Sequence, residues 1–146
     1  MEIKRVVAVS FLIAIGLAGA CAPSTSQIAT LDKEQLWKAA PKIYAPGPFS
    51  VNTKGIQAAR ERAIELYEWD DQVDAQVRKG AFGTGSPAAA VYYSRGPPTD
   101  TRESSSSFGS RYTWQYGTPS LYISDVLYVY FDEDWIVTSW HRYKDK

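Results

Sequence analysis

Val126-Leu127-Tyr128-Val129-Tyr130-Phe131 is an unbroken run of β-branched, aliphatic and aromatic side chains, closed by the acidic turn Asp132-Glu133-Asp134. Six such residues between turn signals read as a buried strand rather than a helix. Upstream, Tyr112, Trp114 and Tyr116 alternate with Thr113 and Gln115, the two-residue period of a strand. Downstream, Trp135–Trp140 returns as the last strand before the charged tail Arg142–Lys146. Three strands joined in this order read as an antiparallel meander. Thr99–Ser107 is polar and Ser-rich, at best an edge strand or loop, and Phe108-Gly109 is turn material.

Helical signals precede the strands. Asn52 or Thr53 caps a stripe of Ile56, Ala59, Ala63, Leu66 and Tyr67, spaced at three and four residues. The period continues through Trp69, Val73 and Val77 to Gly80, as one helix of about 25 residues or two with a bend at 69–71. Ser86 as cap and Pro87 as first helical residue open a second helix with Ala88, Val91 and Tyr92 on its buried side. Gly96 ends it and Pro97-Pro98 prevent resumption. Two helices followed by three strands predict an α+β two-layer sandwich of order ααβββ over residues 52–146.

The chain has 146 residues, 16 basic and 16 acidic side chains, one His and one Cys. That length supports one small domain. The balanced charge argues against nonspecific nucleic-acid binding, which needs a clustered basic surface. A single Cys and a single His supply neither an intramolecular disulfide nor a Cys/His metal cluster.

Lys4 and Arg5 precede an apolar run from Val6 to Leu17, then small residues and Cys21. This is the layout of a secretory signal peptide, and its apolar run is too short to span a bilayer. Leu17-Ala18-Gly19-Ala20-Cys21 resembles the bacterial lipobox. The resemblance implies cleavage before Cys21, a diacylglycerol on its sulfur and acylation of the new amino terminus. Several acyl chains on one residue give durable anchoring. Ala22 in place of Asp after the Cys implies, by the sorting rule of enteric bacteria, the outer membrane. Residues 21–51 then read as the lipidated Cys and a tether. Asp32 with Gln35 forms a capping box for a short helix that Pro41 stops. If residues 22–51 were all flexible, their reach would be roughly 30 Å.

From about residue 69 to 143 the chain resembles the SmpA/OmlA (BamE-like) family of small outer-membrane lipoproteins. The residues that carry the likeness are Gly83-Thr84-Gly85-Ser86, Val91, Gly96-Pro97, Trp114-x-Tyr116, Val126–Phe131 and Trp135-Ile136-Val137. The Met usual in the family's Gly-Met-Thr turn is absent here, and Trp135 stands where a turn Gly is common. The resemblance implies the fold and a role in outer-membrane protein assembly or envelope integrity.

Catalytic chemistry is thinly supplied. Ser139 and His141 share a strand face about 7 Å apart, wide for direct proton transfer. Asp132-Glu133-Asp134 reads as a soluble turn, and Gly80-x-x-Gly83-x-Gly85 lacks the Lys and preceding strand of a phosphate loop. The aromatic sheet is more informative. Leu127, Val129 and Phe131 are expected to face the helices. Tyr128 and Tyr130 then face outward, joined by the row Tyr112, Trp114 and Tyr116. Tyr and Trp concentrate binding energy at interfaces. These five residues, with Gly83, Gly85 and Ser86, are the candidate partner-binding positions, unless Trp37, Tyr44 or Phe49 covers the sheet. The expectation is a noncatalytic membrane-anchored scaffold. Its partner would be an envelope protein, such as an outer-membrane barrel or its assembly machinery. No cofactor is expected beyond the lipid on Cys21. The alternative is an inhibitor or small-ligand-binding periplasmic module on the same fold.

Overall fold

The structure is a computed structural model that describes residues 21–46, 51–118 and 125–144. Residues 1–20, where a leader is expected, and Phe49 lie outside the described residues. The fold is α+β, and the described residues form five helices followed by a four-stranded antiparallel sheet. The class and the meander agree with the sequence reading, whereas the counts of helices and strands are larger.

The first difference lies in the stretch read as a tether. Thr25–Ile28 forms α1 and Lys33–Tyr44 forms α2. Each opens on a reciprocal capping box. The Gln35 backbone N–H donates to Asp32 Oδ1 at 2.8 Å, and the Asp32 N–H donates to Gln35 Oε1 at 3.1 Å. Leu36, Ala39, Ala40 and Ile43 fall on one helical face and are buried in the core with Ile28 and Leu31. Pro41 does not stop α2, which continues to Tyr44. Burial of Ile43 and docking of Tyr44 draw the last turn onto the domain despite the missing N–H. Three residues, Ala22 to Ser24, separate Cys21 from α1, so the spacer spans at most about 10 Å rather than the longer reach expected of a free tether.

The long periodic stretch divides. Helix α3 (Thr53–Tyr67) ends at Glu68, whose φ of 52° is left-handed, and α4 (Asp71–Arg78) restarts with Asp70 as cap. Helix α5 (Ala88–Arg95) follows Pro87, which itself occupies the cap position. Ser86 therefore is not the cap. Its backbone carbonyl accepts from Val137 N–H at 2.9 Å, while its Oγ accepts from Gly83 N–H at 3.0 Å and donates to Gln76 Oε1 at 3.2 Å. Extended pairing with residues 135–137 holds 85–87 out of the helix.

Strands β1 (Asp100–Ser106), β2 (Gly109–Tyr116), β3 (Asp125–Phe131) and β4 (Val137–Lys144) lie in sequence order. The polar Ser-rich stretch is thus a full edge strand, exposed at every residue. Register decides which row faces the helices. Tyr112 opposes Phe131, Trp114 opposes Val129 and Tyr116 opposes Leu127. Opposed residues share a face, so the β2 aromatics point inward with the buried row of β3, not outward. Trp114 is 6% exposed, and Tyr112 and Tyr116 pack against the core.

Helix α5 occupies the centre. Tyr92 meets Trp114 edge-on at 6.1 Å, and Tyr93 is wholly buried. Arg60 from α3 donates to the carbonyls of Tyr93 and Ser94 at 3.2 and 2.8 Å, and the Tyr44 hydroxyl donates to the Tyr93 carbonyl. These donors satisfy carbonyls that the end of α5 leaves open.

Candidate functional site

The outer face of the sheet is built by alternation. Arg102 opposes Thr113, which opposes Tyr130, which opposes Ser139. One rung along, Asp100, Gln115, Tyr128 and His141 align, and Val126 opposes Tyr143. Among the described residues no helix buries the Tyr130 end of this face. Tyr130 is 37% exposed and Tyr143 55%, and Ser139, His141 and Arg102 are exposed. Tyr128 is half-buried, and Gln115 and Val126 are buried at the other end. Val126 stands apart from the main core.

The rings of Tyr128, Tyr143 and His141 touch in series, with Tyr130 beside them on the same face. Tyr128 meets Tyr143 edge-on at 5.8 Å, and the His141 ring lies 4.5 Å from that of Tyr143. Such edge-on pairs fix ring orientation without burying the faces. Arg102, Thr113, Gln115, Tyr128 and Tyr130 line an open hollow of about 200 Å³, and a wider open one of about 700 Å³ adjoins it between Ser104, Thr113, Tyr130 and Ser139. Arg102 is held by Asp100 at 3.1 Å.

Of the sequence-predicted site residues, Tyr128 and Tyr130 do lie on this face. Tyr112, Trp114 and Tyr116 lie on the opposite one. Gly83, Gly85 and Ser86 belong to the turn that pairs with the start of β4, and Ser86 is 3% exposed with its hydroxyl engaged by the Gly83 N–H and by Gln76 of α4. Trp37 and Tyr44 do not cover the sheet. Trp37 stacks on Tyr92 at 3.8 Å, and the Tyr44 ring packs beside Gly96. Cys21 is exposed at the amino-terminal end of the described chain. Sequence reasoning missed Tyr143 as a site residue and read His141 only as a strand-end group. Their two-residue spacing with Ser139 was the available signal.

The acidic turn has a local role. Asp132 Oδ1 accepts from the backbone N–H of Asp134 and of Ile136, both at 3.0 Å. Trp135 adopts a φ of 60° there, and its ring stacks on Tyr112 at 3.8 Å. Among the described residues no group of three His, Cys, Asp or Glu is placed to hold a metal ion, and no helix is long and apolar enough to cross a membrane. No family model, curated protein or solved structure matches the chain.

Proposed function

We propose that this chain is a noncatalytic lipoprotein, anchored through Cys21, that binds another envelope protein with the outer face of its sheet. The observation that carries the reading is the exposed ring patch of Tyr130, His141 and Tyr143 on a sheet whose other face holds the core. Antiparallel sheets with one wet face ordinarily carry polar side chains there, and exposed aromatics mark contact surfaces. The lipobox-like run before Cys21 supports the anchor, and Ala22 supports the outer membrane. The short spacer holds the domain against the bilayer. Confinement to one surface raises the effective concentration of a partner in the same membrane, so a modest patch suffices. A role in outer-membrane assembly or envelope integrity is what the SmpA/OmlA resemblance implies.

The test has two parts in intact cells. Labelled palmitate should enter the wild-type chain and not Cys21→Ser. A photoreactive residue at Tyr130 should give a discrete adduct with one membrane protein. A chain without label, or a Tyr130 site that yields no adduct, contradicts the corresponding half of the reading.

A further inference from the structure

We propose that the free edge of β4, residues 138–144, is a strand-addition site that takes an extended segment of the partner bearing acidic and apolar side chains. This rests on the scaffold reading above and names the kind of partner segment that scaffold holds.

The two edges of the sheet differ. β1 is guarded by composition. Asp100, Arg102 and Glu103 alternate sign among serines and threonine, with no apolar side chain in the strand. Charged, polar edges of this kind resist pairing with another strand. β4 carries charge only at its end, in Arg142 and Lys144, and adds exposed rings. Every residue after Val137 is exposed, Trp140 at 51% and Tyr143 at 55%. Among the described residues no backbone hydrogen bond reaches the outer side of β4 beyond Val137. The edge is nevertheless competent to pair. Gly85 N–H donates to the Val137 carbonyl at 2.8 Å and Val137 N–H donates to the Ser86 carbonyl at 2.9 Å. The chain itself therefore fills the first rung and then leaves the rest of the strand open.

Side chains define what fits beside it. On the helix side, Trp140 stands edge-on to Phe82 at 6.3 Å and offers an apolar seat at the rim. On the outer side, His141 and Tyr143 offer rings to the next residue of an incoming strand. Alternating seats of this kind are how an added strand is recognised. The charge is one-sided. β4 carries Arg142 and Lys144 and no acid. The one acid of β3, Asp125, receives Arg142 bidentately, at 2.7 and 2.6 Å. Lys144 then leaves that end of the strand pair net positive, about 20 Å along β4 from the acidic turn, which favours an acidic side chain beside it.

The full chain is tested in its own membranes, with photoreactive residues placed singly at Trp140, Tyr143, Tyr130 and Glu103. Trp140 and Tyr143 should yield an adduct whose crosslinked peptide maps to an extended segment containing Asp or Glu, with little product from Glu103. Trp140→Lys or Tyr143→Lys, each checked for an unchanged melting temperature, should lower the yield from the other edge position about tenfold, as loss of an aromatic anchor does. Products from Tyr130 alone overturn the edge assignment and leave the scaffold reading standing. An adduct between two copies of the chain, or on a helical or acid-free segment, overturns the proposed occupant. Silence at all four positions overturns both readings.

Discussion

The Tyr92 hydroxyl donates to the backbone carbonyl of Trp37 at 3.3 Å. That carbonyl is the one Pro41, four residues on, has no N–H to reach. A side chain from α5 thus supplies the donor missing from α2, and the same two residues stack their rings at 3.8 Å. Tyr92→Phe should cost about 1 kcal/mol in urea unfolding, the usual worth of such a bond. In a Pro41→Ala background, where the N–H returns, the same substitution should cost measurably less. Equal costs in both backgrounds would mean that the hydroxyl does not stand in for the missing N–H.

Leu36 is fully buried in a segment whose Pro41 and polar flanks read as a tether. Leu36→Ala should destabilise the domain by about 3 kcal/mol, in the range for emptying a core leucine site. A change below about 0.5 kcal/mol, typical of surface positions, would return residues 25–44 to the status of linker.

Gly85 and Gly96 share a positive φ, +87° and +88°, but Gly96 also has a ψ of −174°, a combination essentially confined to glycine. A Cβ at Gly85 meets nothing within 4 Å, whereas at Gly96 it meets Tyr44 Cδ1 at 2.7 Å. Gly85→Ala should cost about 1 kcal/mol from the left-handed conformation alone. Gly96→Ala should cost about 1–3 kcal/mol more, because its backbone is one alanine avoids and because Tyr44 must move. Thermal melts of the two variants check the order, and equal losses would contradict it.

Tyrosine burial sets the alkaline limit of stability. Burial pushes the Tyr44 and Tyr92 hydroxyls up from 10 to about 12, and raises Tyr93 and Tyr116 as well. Below pH 10 these groups are protonated in both states. Between 10 and 12 the unfolded chain ionises first and binds fewer protons, so stability falls as pH rises. The urea midpoint should be flat up to about pH 9 and drop through that window, with tyrosinate absorbance appearing together with unfolding.

The inward row of β3 was legible because Leu127, Val129 and Phe131 outmatch Val126, Tyr128 and Tyr130 in hydrophobicity. The β2 row was misplaced, although Thr113 and Gln115 alternate with the rings and lie on the outward side. Outward Tyr128 and Tyr130 made an aromatic outer layer seem continuous, and only the register separates the two sets. The capping box of α2 was written locally in Asp32 and Gln35. Its persistence past Pro41 was not, since the compensating hydroxyl lies 55 residues away in sequence. The role of Ser86 was hidden for the same reason. Ser-Pro reads locally as a helix start, and the pairing with Val137 that pulls it into an extended line is long-range. Tyr143 escaped notice because a charged tail masks the alternation it completes with Ser139 and His141.

The central claim is that the open sheet face binds a partner and does not hold the fold. Tyr130→Ser tests it most directly, with stability and association read on the same variant. The account predicts unfolding free energy within about 0.5 kcal/mol of wild type, as for other exposed positions, and loss of most copurification of the membrane protein captured at that position. Full copurification, with a stability loss of several kcal/mol such as core truncations cause, would contradict it and make Tyr130 part of the core.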